Sequence, residues 1–487
     1  MSRTVTTRVS GGELRGVRQD GIDRYLGIPY AAAPVGELRF REPQPAPAWS
    51  GVRDATKLGP TAPQNPYGPV VSKFLANVIL PGDEYLNVNV WAPADARDSP
   101  VMVWVHGGSF AHGSNALDGY DGSAFARDGV VLVAVNYRLG TEGFSVLRDA
   151  PANLGLADVV AALRWVRAEI VSFGGDPRNV TAFGESAGAS AVGDLLGSPH
   201  AAELFDRAIL QSGAPGAVRP KRAGRITRLT AKRLGIPATR EAFAAQPSSR
   251  LLEAEAALTA NSSPVAPGPS FQAAIAEPIL PRQPLDAILD GAGDPIPVIL
   301  GWNAEETRLW LVPTGLQDRI GRALFAAVRL RFGIGRRILR AYRAAFPNAG
   351  HGQLVGELAT DLILRLPFQR IADARLARRA APTYLYEFAW RTAVGGLGAA
   401  HALEIGFVFD RLRSPDWVMF AGSDAPQALA GTMHAAWVRF AMTGDPGWRA
   451  WDAERPVMVF DHERSGVVEG LREAELASWR KREADRR

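Results

Sequence analysis

The chain has 487 residues, 47% of them hydrophobic and 22% charged, with a formal net charge of +5 and no cysteine. A chain of this size and composition buries a substantial core without a metal or disulfide staple, and the missing cysteine excludes disulfides, thiol catalysis and cysteine-ligated zinc. The longest apolar runs, such as 130–135, fall far short of the roughly 20 residues a membrane span needs.

The first residues lack the apolar stretch of a secretory leader. A soluble, cytoplasmic chain is the expectation, and the sequons at Asn179 and Asn261 then carry no meaning. The excess charge is mostly arginine, with clusters at 329–343 and 479–487. No nucleic-acid motif accompanies them, so they read as a solvated helix face and a basic end. Neither nucleic acid nor membrane is expected as a partner, and the chain is expected to be a monomer or homodimer.

In chain order, short strand-like runs at 25–29 and 86–91 alternate with Pro/Gly turns. Continuous apolar strands are predicted at 101–106 and 130–136. Residues 154–173 carry apolar side chains at helical spacing: Leu156, Val159, Val160, Leu163, Val166 and Ile170. A strand at 179–183 runs into a helix of small residues from Ala187. Further strands follow at 207–211, 298–301 and 383–388. Buried strands alternating with helices predict a mostly parallel sheet covered on both faces. Segments 220–283 and 310–370 read as helical insertions above the strand ends, and no linker divides the chain, so residues 1–487 are read as one elaborated domain.

Three motifs carry chemistry. Gly184-Glu185-Ser186-Ala187-Gly188 is a G-x-S-x-G run between a strand and a helix, the setting of a nucleophile elbow. There a serine hydroxyl stands on a sharp turn at a helix N-terminus, where free N–H groups favour a developing anion. His106-Gly107-Gly108-Ser109-Phe110 follows a buried strand; its glycines let backbone N–H groups converge, and the N–H groups of Gly108, Ser109 and Ala187 are the candidate oxyanion donors, with Gly107 supporting the turn. A serine also needs a base. His401 lies in a glycine-rich loop after strand 383–388, where a late triad histidine belongs. The acid must fall between Ser186 and His401. Val298-Ile-Leu-Gly-Trp-Asn-Ala-Glu305-Glu306 offers two carboxylates after a strand, and spacing does not choose between them.

Together these segments resemble the carboxylesterase type B family, the group that includes cholinesterases and bacterial p-nitrobenzyl esterases. The resemblance runs along most of the chain: Tyr25-Leu-Gly-Ile-Pro-Tyr-Ala, Val103-Trp-Val-His-Gly-Gly, Asn136-Tyr-Arg-Leu-Gly, Phe173-Gly-Gly-Asp-Pro through Gly-Glu-Ser-Ala-Gly-Ala189, Leu210-Gln-Ser-Gly, His401-Ala-Leu-Glu-Ile-Gly-Phe and Trp437-Val-Arg-Phe-Ala-Met-Thr-Gly-Asp-Pro. It implies an α/β-hydrolase fold, with a mostly parallel central sheet flanked by helices and the insertions forming a cap over the active site. It also implies a bacterial serine carboxylesterase acting on small or medium, partly apolar esters, without metal or organic cofactor.

The resemblance assigns the acid to Glu306 and completes a triad of Ser186, Glu306 and His401. It places Ser212 behind the triad near His401, Glu185 as a buried residue facing away from substrate, and Arg39 with Asp83 as an ion pair. Amide hydrolysis or lipase-like action would use the same triad. A non-catalytic binding module is the remaining class, and members of that kind typically lose the serine that is present here. The chain departs from the family pattern at Ser109, where a third glycine is usual, at Glu142, where an apolar residue is usual, at Thr307, and in having the bulky Trp302 beside the acid turn. Phe110, Phe144, Trp302, Trp310 and Phe407 are candidate pocket aromatics, each more readily explained as core. The basic helix at 329–343 is a weak candidate for the pocket entrance.

Overall fold

A computed structural model describes residues 2–260 and 268–484. The Asn261 sequon, residues 264–267 of the Pro-rich loop and the last three residues of the basic tail lie outside the described residues.

Thirteen strands form one sheet. They are β1 (Arg3–Val9), β2 (Gly12–Gln19), β3 (Ile22–Pro29), β4 (Val52–Asp54), β5 (Asn87–Pro93), β6 (Ser99–Val105), β7 (Val131–Val135), β8 (Gly175–Glu185), β9 (Arg207–Gln211), β10 (Val298–Asn303), β11 (Thr383–Phe388), β12 (Pro456–Phe460) and β13 (Gly466–Glu469). Their spatial order is β1-β2-β3-β5-β7-β6-β8-β9-β10-β11-β12-β13, with β4 beside β2. From β7 through β12 every neighbouring pair is parallel. The flanks, β1 to β5 on one side and β13 on the other, are antiparallel apart from β4. The sheet is therefore mixed and mostly parallel, in an α/β-hydrolase arrangement.

Side-chain alternation explains why the central strands read as unbroken apolar runs. Val101, Val103 and Val105 of β6 pack into one core layer, while Met102 and Trp104 pack into the other. The same division separates Val131, Val133 and Val135 from Leu132 and Ala134 in β7. Helix Leu154–Glu169 and helix Ala187–Leu196 cover the first face, and helix Gln427–Thr443 covers the second. The predicted helix at 154–173 is present, but its last turn tightens to a 3₁₀ turn at Ile170–Phe173.

Register brings the working ends of the strands level. Val105 pairs with Gly184, Glu185 with Gln211, Gln211 with Gly301, and Gly301 with Tyr386. The loops that leave β6, β8, β9, β10 and β11 consequently emerge along one carboxyl edge, where ligands bind in open parallel sheets.

Buried ion pairs hold the loops of that edge. Arg138 and Asp158 are enclosed and joined by three hydrogen bonds, Nε to Oδ2 at 2.7 Å, Nη2 to Oδ1 at 2.6 Å and the Arg138 backbone N–H to Oδ2 at 3.0 Å. Arg39 does not pair with Asp83, which is exposed. Its buried guanidinium lies 2.6 Å from Glu142 Oε1, and Glu142 also accepts from Tyr85 Oη and Ser248 Oγ. A buried cation needs a buried anion, and Glu142, on the short helix Gly140–Phe144, supplies it. The departure from an apolar residue at this position and the partner of Arg39 are one feature.

Asp194 fastens the helix after the elbow to the loop after β9. Its Oδ1 accepts from the Gly216 N–H at 2.7 Å, whereas Oδ2 is buried without a partner. Burial pushes this carboxyl up to about 8. The folded state therefore keeps a proton that the unfolded chain releases near the ordinary carboxylate pKa. Its contribution to stability is full below that pKa and is lost as pH rises through about 8. The difference in Tm between Asp194→Asn and wild type is expected to grow in the variant's favour from about pH 4 to about pH 8 and then to level off. A pH-independent difference in a series of thermal melts would contradict this protonation.

Candidate active site

At the end of β8 the chain turns sharply. Ser186 has φ 55° and ψ −120°, an unusual conformation for a residue with a side chain, and its N–H donates to Gln211 O at 2.8 Å. Helix Ala187–Leu196 starts at the next residue. The close packing explains the flanking glycines. A Cβ on Gly188 would sit 1.9 Å from Val105 O, and one on Gly184 would sit 2.6 Å from that same oxygen. Such strain persists only where the surroundings over-determine it, as they tend to at functional turns. Ser186 is half-buried, and among the described residues its Oγ makes no hydrogen bond.

The loop after β6 presses against this elbow. A Cβ on Gly107 would meet Glu185 Oε2 at 2.6 Å and Ser186 Cβ at 3.1 Å. Gly108, Ser109 and Phe110 all have positive φ, at 108°, 57° and 58°. The carbonyl of Gly108 accepts from Ala111 and His112, while the Gly108 and Ser109 N–H groups donate to no backbone acceptor among the described residues. Ala187 is the first residue of its helix, so its N–H has no partner one turn back. His106 is held in this loop by its own turn, Nδ1 lying 2.8 Å from Gly107 O, and its ring stacks on Tyr137. Burial pushes its imidazole down to about 4, which leaves it neutral.

The two carboxylates after β10 have different partners. Glu306 Oε2 lies 2.5 Å from His401 Nδ1, and Glu306 Oε1 accepts from the Asn303 N–H at 2.7 Å. Glu305 instead accepts from the Ala399 N–H at 3.0 Å and lies 3.2 Å from Arg391 Nη1. It tethers the glycine-rich loop that carries the histidine. The other nitrogen of His401, Nε2, lies 2.9 Å from Glu185 Oε1. The expectation that Glu185 faces away is thus corrected: it is buried, but it borders the same cavity as Ser186 and reaches the imidazole. Burial by itself would lower the His401 pKa, but Glu185 and Glu306 on either side outweigh it, and the net direction is well above the ordinary histidine value.

Ser212 is close by at the end of β9, with φ 54°. It borders the cavity, yet its buried Oγ has no hydrogen-bond partner, so it makes no bond to His401. Sequence reasoning assigned no role to the polar layer beneath. Glu404 accepts from Asn303 Nδ2 at 2.7 Å and from Gln211 Nε2 at 3.1 Å, while Gln211 Oε1 accepts from Trp437 Nε1. Burial pushes the Glu404 carboxyl up to about 8. The signal was its place three residues after His401 on the same turn.

Glu185, Ser186, Ser212, Glu306 and His401 border a cavity of about 1100 Å³. Its walls include Tyr67, Phe74, Phe110, Phe271, Trp310 and Trp417, and the Trp310 ring lies 4.9 Å from that of His401. Of the candidate aromatics, Phe110 and Trp310 border it; Phe144, Trp302 and Phe407 are core. Both predicted insertions contribute, through Glu255, Ala256, Thr259 and Phe271 on one side and Leu316, Arg319, Thr360 and Leu364 on the other. No residue of the basic stretch 329–343 borders it; Arg319 is the cation that does.

The Carboxylesterase family profile matches residues 1–479. The chain is 34% identical to the para-nitrobenzyl esterase of Bacillus subtilis (strain 168), over 94% of this chain and 95% of that protein. It is 33% identical to the phenmedipham hydrolase of Pseudarthrobacter oxydans, over 97% and 98%. Its fold superposes on the crystal structure of Geobacillus stearothermophilus carboxylesterase EST55 with a TM-score of 0.87 and 36% identity, covering 97% of this chain and 99% of that one. With the match spanning nearly the whole chain, this protein belongs to the carboxylesterase family, close to the bacterial p-nitrobenzyl esterases, and is a carboxylic ester hydrolase of that family.

Proposed function

We propose that the chain is a serine carboxylesterase that hydrolyses small or medium, partly apolar esters through an acyl-enzyme, with Ser186 as nucleophile, His401 as base and Glu306 as its orienting acid. The observation that carries this reading is the 2.5 Å contact between His401 Nδ1 and Glu306 Oε2, made across 95 residues at the edge of the cavity that Ser186 also borders. A carboxylate at Nδ1 fixes the tautomer that leaves Nε2 free to accept a proton.

Ser186 Oγ attacks the ester carbonyl carbon while His401 Nε2 takes the hydroxyl proton. The N–H groups of Gly108, Ser109 and Ala187 hold the oxygen that becomes negative. The carbon–alkoxide bond then breaks, His401 protonates the leaving alcohol, and water repeats the sequence on the acyl-enzyme. For the first step Nε2 turns from Glu185 to the serine hydroxyl. The segments 220–283 and 310–370 act as a cap, and the mixture of aromatic walls with few charges suits a partly apolar acyl or alkyl group.

The first test is turnover of p-nitrophenyl esters of increasing acyl length. Activity is expected to peak at short or medium chains, and Ser186→Ala is expected to lower kcat by roughly 10⁵–10⁶, as loss of a triad nucleophile does elsewhere. A folded wild type inert on every chain length would end the esterase reading. Glu306→Gln is expected to lower kcat by about 10⁴ with little change in KM, since it changes the tautomer and not the pocket; an equal loss in Glu305→Gln would contradict the assignment.

The pH profile provides a separate test. Because Glu185 and Glu306 stabilise the imidazolium, the acid limb of kcat/KM is expected above the ordinary histidine pKa of about 6.5. Removing one of those carboxylates in Glu185→Gln weakens that stabilisation, so the limb is expected to move to lower pH. A limb that stays in place in Glu185→Gln would show that Glu185 does not set the histidine's charge.

A further inference from the structure

From residue 319 to residue 356 the chain carries eight arginines, Arg319, Arg322, Arg329, Arg331, Arg336, Arg337, Arg340 and Arg343, and no aspartate or glutamate. Most of these arginines lie on two helices, Arg322–Phe332 and Arg336–Ala345. Their inner sides are anchored: Phe325, Ile334, Ile338 and Tyr342 are buried against Leu354, Leu358, Leu366, Leu476 and Trp479. Their outer sides are not. Among the described residues no carboxylate pairs with Arg322, Arg336, Arg337, Arg340 or Arg343. Among the described residues Arg331 makes a ring contact with its neighbour Phe332 alone. Leu330 is 86% exposed, Leu324 47% and Phe332 47%, interleaved with these cations.

We propose that this face docks the protein onto an anionic lipid surface. A solvated helix face accounts for the arginines but not for a leucine and a phenylalanine held out among them. Apolar side chains that enter the headgroup boundary, ringed by cations that meet anionic headgroups, are what an interfacial helix presents to a bilayer. A second copy of this chain is a poor occupant, because a two-fold contact would set arginines against arginines. A nucleic acid would engage the cations and leave the apolar residues unused. The face also adjoins the cavity: helix Leu316–Arg319, whose Leu316 and Arg319 border the cavity, is separated from Arg322–Phe332 by only Ile320 and Gly321, and the half-exposed Ile363 borders it too. Docking here holds the cavity beside the headgroups.

The test is co-sedimentation of the full chain with vesicles of equal parts phosphatidylglycerol and phosphatidylcholine, and with phosphatidylcholine alone. It needs no turnover and is independent of the esterase reading. Binding is expected to the anionic vesicles only. In Arg336→Gln/Arg337→Gln/Arg340→Gln the partition coefficient is expected to fall about a hundredfold, at about fivefold per cation. In Leu330→Ser/Phe332→Ser it is expected to fall at least about tenfold. Circular dichroism melts on both variants, which replace outward side chains, establish that they fold. Absence of binding to anionic vesicles overturns the proposal. So does anionic binding that survives Leu330→Ser/Phe332→Ser; if duplex DNA then binds as well, the face is a nucleic-acid surface.

Discussion

The carbonyl oxygen of Val105 leaves no room beside it, and much of the site's geometry follows from that contact. Gly188 and Gly184 both lie where a Cβ would collide with this oxygen, and a Cβ on Gly213 would sit 2.0 Å from Ser186 O. β6, the elbow and the loop after β9 are thus in backbone contact, with no side chains between them. The result is that Ser186 is held at a positive φ by neighbours that cannot give way. The same contact brings the Gly107–Ser109 loop against the serine, because that loop begins two residues beyond Val105. A parallel sheet with level strand ends supplies the frame, and the glycines let the frame close.

Electrostatics impose the second constraint. His401 sits between Glu185 and Glu306, with Glu404 in the polar layer below. Three buried carboxyls around one imidazole would repel strongly if all were ionised. The structure relieves this in two ways. Burial raises Glu404 to about 8, so it holds a proton at neutral pH. His401 is pushed towards its charged form by the two carboxylates it touches. Negative charge near the serine is thereby matched by an imidazolium proton, which must leave before His401 can act as the base of the proposed mechanism, and the resting contact of Nε2 with Glu185 is the competitor that Ser186 displaces.

The sharp turn at Ser186 and the close-packed loop after β6 were legible in the sequence because backbone contact at Gly107, Gly184 and Gly188 leaves no room for a side chain, so the residue type itself records the geometry. The strands were legible because central parallel strands are buried on both faces. The choice between Glu305 and Glu306 was not legible from spacing, since both follow β10; what separates them is the Ala399 N–H and Arg391, which come from a loop nearly a hundred residues on. The partner of Arg39 was misread for the same reason: burial, not nearness in the chain, selected Glu142 over Asp83. The direction of Glu185 was within reach. Phe183 packs with the layer that holds Ala402 and Leu403, and strand alternation puts Glu185 on the side of Phe183, towards the histidine loop. Phe144, Trp302 and Phe407 show the opposite limit, because aromatic residues near the motifs in sequence went into the core, where large apolar rings are most stabilised.

The proposed cap at 310–370 uses arginine in two opposite ways, and burial decides between them. Arg365 is fully enclosed on a turn of π-helix, and both of its terminal nitrogens are used: Nη1 to Asp361 Oδ1 at 2.7 Å, Nη2 to Ala304 O at 2.8 Å and to Glu387 Oε2 at 3.2 Å, while Nε is buried without a partner. Ala304 lies two residues before Glu306, so this cation ties the segment 310–370 to the turn whose carboxylate contacts His401. A buried guanidinium without those acceptors would be prohibitively costly, which makes the clamp specific to one arrangement of cap and turn. The outward arginines at 322–343 carry no such obligation, because water solvates them. Arg322, Arg336, Arg337, Arg340 and Arg343 have no carboxylate partner among the described residues, so they keep their charge available to something outside the fold. One residue type therefore fixes the acid turn from within and, on the reading advanced above, holds the cavity against an anionic surface from without.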